Sequence, residues 1–223
     1  MSKPNNWINK CARNCKSQEG EDGIIETILS MIGGNKWCVE FGAWDGEYLS
    51  NTYNLIQNHE FSAVLIEGDA EKCRLIPETF KGNKKVIAIN RFVGTSQNNN
   101  LGHLLDGTGI PVDFDFLSID VDGNDYHVWN AITGYNPRLV CIEYNMTIPT
   151  EVDFVQENNP SVQHGNSITA LNRLAQEKGY QLVATTFTNA FFVDEKYFPI
   201  FEIEDNSIHA LRENLSLITY LFT

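Results

Sequence analysis

From residue 20 onward the chain alternates between two kinds of apolar pattern. In residues 21–32 the positions Ile24, Ile25, Ile28, Leu29, Met31 and Ile32 recur at helical spacing, and Gly33-Gly34 ends the stripe. A continuous apolar run, WCVEF (37–41), follows, and then a helix-spaced stretch over 47–58. The alternation continues with FSAVLIE (61–67), a helix over 70–80, KVIAINRFV (85–93), a short helix with Leu101, Leu104 and Leu105, DFLSIDV (115–121), a helix over 125–133 and RLVCIEY (138–144). Runs of this kind, rather than strict alternation, suit strands covered by helices on both faces of a parallel sheet. The pattern predicts a doubly wound α/β domain.

The last third departs from the rhythm. A helix over 167–178, closed by Gly179, precedes YQLVATTF (180–187), and only Thr188 and Asn189 separate this from AFFVD (190–194). Two β-rich runs with so short a break read as an antiparallel hairpin, so one strand near the C-terminal end is reversed. Residues 146–165 form the longest irregular stretch, and a loop of that length in a compact domain suits a lid or substrate wall. Residues 1–19 are polar and aperiodic, which predicts an arm or loosely packed lead-in to a single domain over 20–223.

The chain has 223 residues, 42% hydrophobic and 20% charged, with 16 Lys and Arg against 29 Asp and Glu, a formal charge of −13. Such a balance opposes sequence-independent binding to nucleic acid or to an anionic membrane. A local basic patch at Lys81, Lys84, Lys85 and Arg91 is the one exception. There is no apolar run near the ~20 residues of a membrane span and no signal-like N-terminus, so a cytoplasmic location is expected. Five cysteines make no disulfide framework. Cys38 and Cys141 fall in apolar runs as core residues, and Cys11 and Cys15 lack the further ligands of a zinc site. Tyr197, Phe198, Phe201, Tyr220 and Phe222 read as core or a dimer face, which allows a homo-oligomer.

The candidate chemistry sits where predicted strands meet helices. Glu40, Gly42, Ala43, Asp45 and Gly46 form E-x-G-x-x-x-G after the first strand, the crevice where doubly wound sheets bind ligands. Gly42 allows close backbone approach, and Gly46 is expected to open a helix whose N–H groups attract an anion. Glu67-Gly68-Asp69 ends the second strand about twenty positions further on, where an acid suits ribose hydroxyls. An acid ahead of the glycines favours a cationic or amino-acid-like ligand over pyrophosphate, and S-adenosylmethionine (SAM) over NAD. Asp120, Asp122 and Asp125 crowd the fourth strand's end, with Glu143 and Asn145 ending the next. Oxygen ligands so close, Asp120, Asp122 and Glu143 above all, suit Mg²⁺; Asp122, Asn124 or Asp125 serve equally as helix-start residues. His127 beside this block and His164 in the long loop are candidates to meet a substrate, and Asp120, Asp122 and His127 to take a proton.

These blocks, EFGAWDG, IEGD and SIDVDGNDYHVW with a late NAFFV, resemble the class I SAM-dependent methyltransferases, in particular an FkbM-like variant, over about residues 35–195. The resemblance implies a seven-stranded Rossmann-like sheet with a reversed strand and methyl transfer to a hydroxyl of a small polar molecule, most often a sugar or nucleotide-sugar. It implies that Glu40, Gly42 and Gly46 line the methionine end, that Glu67 faces the ribose and that Asp120 lies near the methyl; Ala43, Asp45, Gly68 and Asp69 are further candidate cofactor contacts, and Asn51 a candidate contact to the methionine carboxylate or the substrate. Mg²⁺ is an optional helper, and Asn124, Asp125, Asn145 and His164 are substrate-facing. The N-P-P-[YF] block of base and amide N-methyltransferases is absent. Two rivals remain: an NAD-dependent oxidoreductase on a similar sheet, and a non-catalytic SAM- or nucleoside-binding or assembly module.

Overall fold

The computed structural model describes residues 3–212. Its centre is one seven-stranded sheet of β1 (Trp37–Phe41), β2 (Ser62–Glu67), β3 (Val86–Asn90), β4 (Phe116–Ile119), β5 (Leu139–Glu143), β6 (Tyr180–Thr185) and β7 (Asn189–Asp194). The strand order is β3-β2-β1-β4-β5-β7-β6. The first five run parallel, and β7 is antiparallel to both β5 and β6. Consecutive residues of β2, β4 and β5 are buried, and neighbours along a strand point to opposite faces, so both faces are covered. The buried Cys38 and Cys141 belong to this core.

The helices are α1 (Glu21–Ile32), α2 (Tyr53–Asn58), α3 (Ala70–Cys73), α4 (Ile76–Thr79), α5 (Leu101–Leu105), α6 (Asp125–Asn130), α7 (Ile168–Glu177) and α8 (Ile208–Leu211). Two differ from the sequence expectation for local reasons. The stretch 47–52 is not helical, because Leu49 takes a left-handed φ of 53° and the chain turns Ser50 and Thr52 inward. The stretch 70–80 breaks into two single-turn helices, the second with proline at its start. Helix α7 matches its pattern and is capped by the Ser167 hydroxyl, which accepts from Ala170 N–H.

The lead-in is docked rather than loose. Ile8 is fully buried, Asn9 donates to the Leu211 carbonyl at 2.8 Å, and Asp22 accepts from the N–H groups of Cys15, Lys16 and Ser17. Its side-chain bonds to distant residues are invisible to local periodicity. Of the aromatic set, Phe201 is in the core, while Tyr220 and Phe222 lie outside the described residues.

Candidate functional site

Register places the candidate residues in one row. Phe41 pairs with Ile66 and with Ile119, and Ile119 pairs with Ile142. The next residue on each strand is Gly42, Glu67, Asp120 and Glu143, so all four stand along the C-terminal edge of the parallel sheet. The row spans the point where the strand order reverses, between β1 and β4, where such sheets form a crevice.

The turn after β1 is shaped by backbone requirements. Gly42 has φ +73°, and a Cβ there would lie 2.2 Å from the Asp120 carbonyl oxygen. Gly46 has φ +82°, and its Cβ would strike the Phe80 ring at 2.5 Å. Asp45 accepts from the N–H groups of Glu47 and Tyr48 at 2.9 and 2.8 Å. The anion site expected at a helix start is therefore occupied by the chain's own carboxylate, and α2 begins only at Tyr53. Ala43 is buried, its N–H donating to the Ile66 carbonyl.

Glu40 is a loop anchor rather than a wall of the crevice. It is buried, and its carboxylate accepts from the Ser50 and Thr52 hydroxyls, both at 2.6 Å, and from Asn51 N–H at 2.8 Å. Burial pushes its carboxyl up, and the three donors pull the other way. The Asn51 amide points inward as well, to Ser118 Oγ at 3.1 Å. Glu67 instead ties two turns together at the edge. One oxygen accepts from Trp44 N–H and the other from Asp69 N–H, each at 2.8 Å. A carboxylate oxygen accepts more than one hydrogen bond, so this grip leaves acceptor capacity on both oxygens. Asp69 caps α3 through Glu71 and Lys72 N–H. The Phe92 ring, 77% exposed, lies against Gly68, where a Cβ would meet it at 2.3 Å. Trp44, also exposed, has Lys72 Nζ 3.4 Å from its ring centre.

The acidic block is compact. Carboxylate oxygens of Asp120, Asp125 and Glu143 lie within 4.8 Å of one another. The third member is Asp125 in place of the expected Asp122, whose backbone turns left-handed (φ 53°). Asp125 is buried and not substrate-facing; its two oxygens accept from Val121 and Gly123 N–H, both at 2.9 Å. Burial, then the Asp120 charge, pushes Asp125 up to about 7. The same two causes raise Glu143 to about 8, with Asp125, Asp122 and Glu19 adding to them. Asp120 is exposed at the end of β4, and desolvation, then the Asp122 charge, raises it to about 6.

Beside this block is a cavity of about 350 Å³, lined among others by Asp122, Glu143, Asn145, Gln163, His164 and Thr188. Its outer wall is the long loop, which is pinned rather than loose. Gln156, absent from the sequence expectation, is buried and donates to the Val162 carbonyl, while its Oε1 accepts from His164 and Gly165 N–H. Asn166, fully buried, donates to the Gly123 carbonyl at 2.8 Å and accepts from Gln156 N–H. His127 Nε2 lies 2.7 Å from the Gln156 carbonyl. A carbonyl only accepts, so that nitrogen carries the proton, and His127 holds the loop instead of lining the cavity. The Asn124 amide also faces the loop, at 3.1 Å from Asn158 Oδ1. Asn145 donates to the His164 carbonyl at 2.7 Å. No motif marks Gln156 or Asn166; a buried amide in a polar loop is legible only once the contacts are known.

No family model matches the chain, and no curated protein matches it. Among solved structures, a putative caffeoyl-CoA O-methyltransferase from Staphylococcus aureus is 15% identical, with TM-score 0.51 over 84% of this chain and 87% of that one. The CMeT domain of the citrinin polyketide synthase is 10% identical, also with TM-score 0.51, over 78% of this chain and 51% of that one. With the strand order and the reversed β7, this similarity gives the chain the Rossmann-like fold of the class I methyltransferases.

Proposed function

We propose that the chain is a SAM-dependent O-methyltransferase acting on a hydroxyl of a small polar molecule, a sugar or nucleotide-sugar, within an FkbM-like branch. The observation that carries this reading is the row Gly42, Glu67, Asp120, Glu143 along one sheet edge, with an open cavity at its β5 end. The residues fit the cofactor: Gly42 keeps the backbone low over β4, Glu67 retains acceptor capacity for two ribose hydroxyls, and the exposed Phe92 offers an apolar face for adenine. When bound, SAM supplies an electrophilic methyl group on a sulfonium and is released as S-adenosylhomocysteine.

The chain's part is positioning and proton transfer. The cavity walls orient the acceptor, and correct orientation is the larger share of catalysis for so good a leaving group. Asp120, exposed at the sheet edge next to Glu143 and raised to about 6, is in this reading the general base that takes the hydroxyl proton as the O–C bond forms and the S–C bond breaks. Mg²⁺ is the second reading, favoured by the close carboxylates of Asp120, Asp125 and Glu143, where it would lower the hydroxyl's pKa. Isothermal titration with S-adenosylhomocysteine tests the function: saturable binding, weakened at least about tenfold by Glu67→Ala, is expected. No heat with S-adenosylhomocysteine or SAM, together with thermal protection by NAD, would overturn it.

A further inference from the structure

The charge around the acceptor cavity goes further than the fold. Asp122 and Glu143 line it, Asp120 and Asp125 stand beside Glu143, and no Lys or Arg lines it among the described residues. A fifth carboxylate arrives from the docked lead-in: Glu19 accepts from the N–H and the hydroxyl of Thr188, at 3.0 and 3.1 Å, and Thr188 is itself a cavity wall. Arg212 stands against this wall: it donates to Thr150 Oγ1 and to the carbonyl of Met146 and lies over the Tyr144 ring, and Met146 and Tyr144 both line the cavity. Residues 213–223 contain no Lys or Arg either.

We propose that the acceptor is a hydroxylated amine, such as an amino sugar, whose ammonium group is held by the acidic wall carrying Asp122, Glu143 and Glu19. This deepens the methyltransferase reading and rests on it for the site itself. It narrows that reading, because a phosphate or diphosphate brought against these carboxylates meets like charge, with His164 the one imidazole in the lining and Arg212 already hydrogen-bonded to Met146 and Thr150, whereas an ammonium pairs with Glu143, which has no ion pair among the described residues. The rival occupant is a phosphorylated sugar brought in with a divalent metal ion.

Calorimetric titration of the whole protein, with and without saturating S-adenosylhomocysteine, separates these at low salt and pH 7.5. The probes are glucosamine and kanamycin as ammonium sugars, glucose as the neutral one and glucose 6-phosphate as the anion. We expect at least one ammonium sugar to bind at least about tenfold more tightly than glucose, with glucose 6-phosphate weakest. Glu143→Gln and, separately, Glu19→Gln, behind Thr188, should each reduce that preference several-fold. Equal binding of all probes, binding of none, or glucose 6-phosphate binding that appears with Mg²⁺ would overturn the proposal. Loss of S-adenosylhomocysteine binding alone would sink the methyltransferase reading, while the titrations without it still report the charge preference of the cavity.

Discussion

A side-chain carbon on Gly42 would stand 2.2 Å from the carbonyl oxygen of Asp120, so the turn after β1 and the end of β4 touch through backbone alone. The contact sets how closely the glycine turn approaches the acid. Gly42→Ala therefore meets both the cost of left-handed backbone, about 1–2 kcal/mol, and a collision with main chain that cannot swing away. We expect a loss of at least about 2 kcal/mol, seen as a melting temperature lower by roughly 4–8 °C. An unchanged melting curve would show that the two strand ends separate freely.

Glu40 and Glu67 are both acids at the sheet edge, yet they should fail differently. Glu40 spends its carboxylate on Ser50, Asn51 and Thr52 inside the fold, so Glu40→Gln sets an amide N–H₂ against donors. A stability loss of about 1–3 kcal/mol in urea unfolding is expected. Glu67→Gln keeps one acceptor oxygen for a backbone N–H and should act mainly on cofactor affinity, about tenfold by titration. Reversed results would exchange the two roles.

The sheet was legible because its strands are long apolar runs with helix-spaced stretches between them, and the reversed strand because its hairpin break is so short. Site residues were legible to the extent that they sit at strand ends: Glu67 and Glu143 close β2 and β5, and Gly42 and Asp120 directly follow β1 and β4. What a carboxylate does once it is there was not legible. Glu40 and Asp125 look like ligands in the sequence, but the chain folds its own hydroxyls and N–H groups onto them. The docking of Ile8, Asn9 and Glu19 depends on partners far along the chain, which no local pattern carries.

His127 provides a sharp test of loop against base. Its Nε2–H is committed to the Gln156 carbonyl, so His127→Gln, which keeps a donor, should leave the pH dependence of turnover unchanged. Gln156→Ala removes the anchor for His164, Gly165 and Val162 and should raise the acceptor KM severalfold while S-adenosylhomocysteine affinity holds. A lost acidic limb in the His127→Gln profile would restore this histidine as the general base.

The crowded acids also fix how stability depends on pH. Asp120, Asp125 and Glu143 have ordinary values of 3.8, 3.8 and 4.5 and rise in the fold to about 6, 7 and 8. Between the ordinary and raised values the folded chain holds more protons than the unfolded one. Stability from this source is thus complete near pH 4 and drains away as pH climbs through 6 to 8. Asp120, open to solvent, contributes least, and Asp125 and Glu143 carry most of the effect. We expect the melting temperature without added metal to fall between pH 5.5 and 8.5, and Glu143→Gln to flatten that slope. A divalent cation held by the trio would raise the melting temperature at pH 8.5 far more than at pH 5.5, where protons already occupy the acids. A melting temperature that instead climbs across this range in the unmodified protein would mean that these carboxylates are ionised and solvated in the fold.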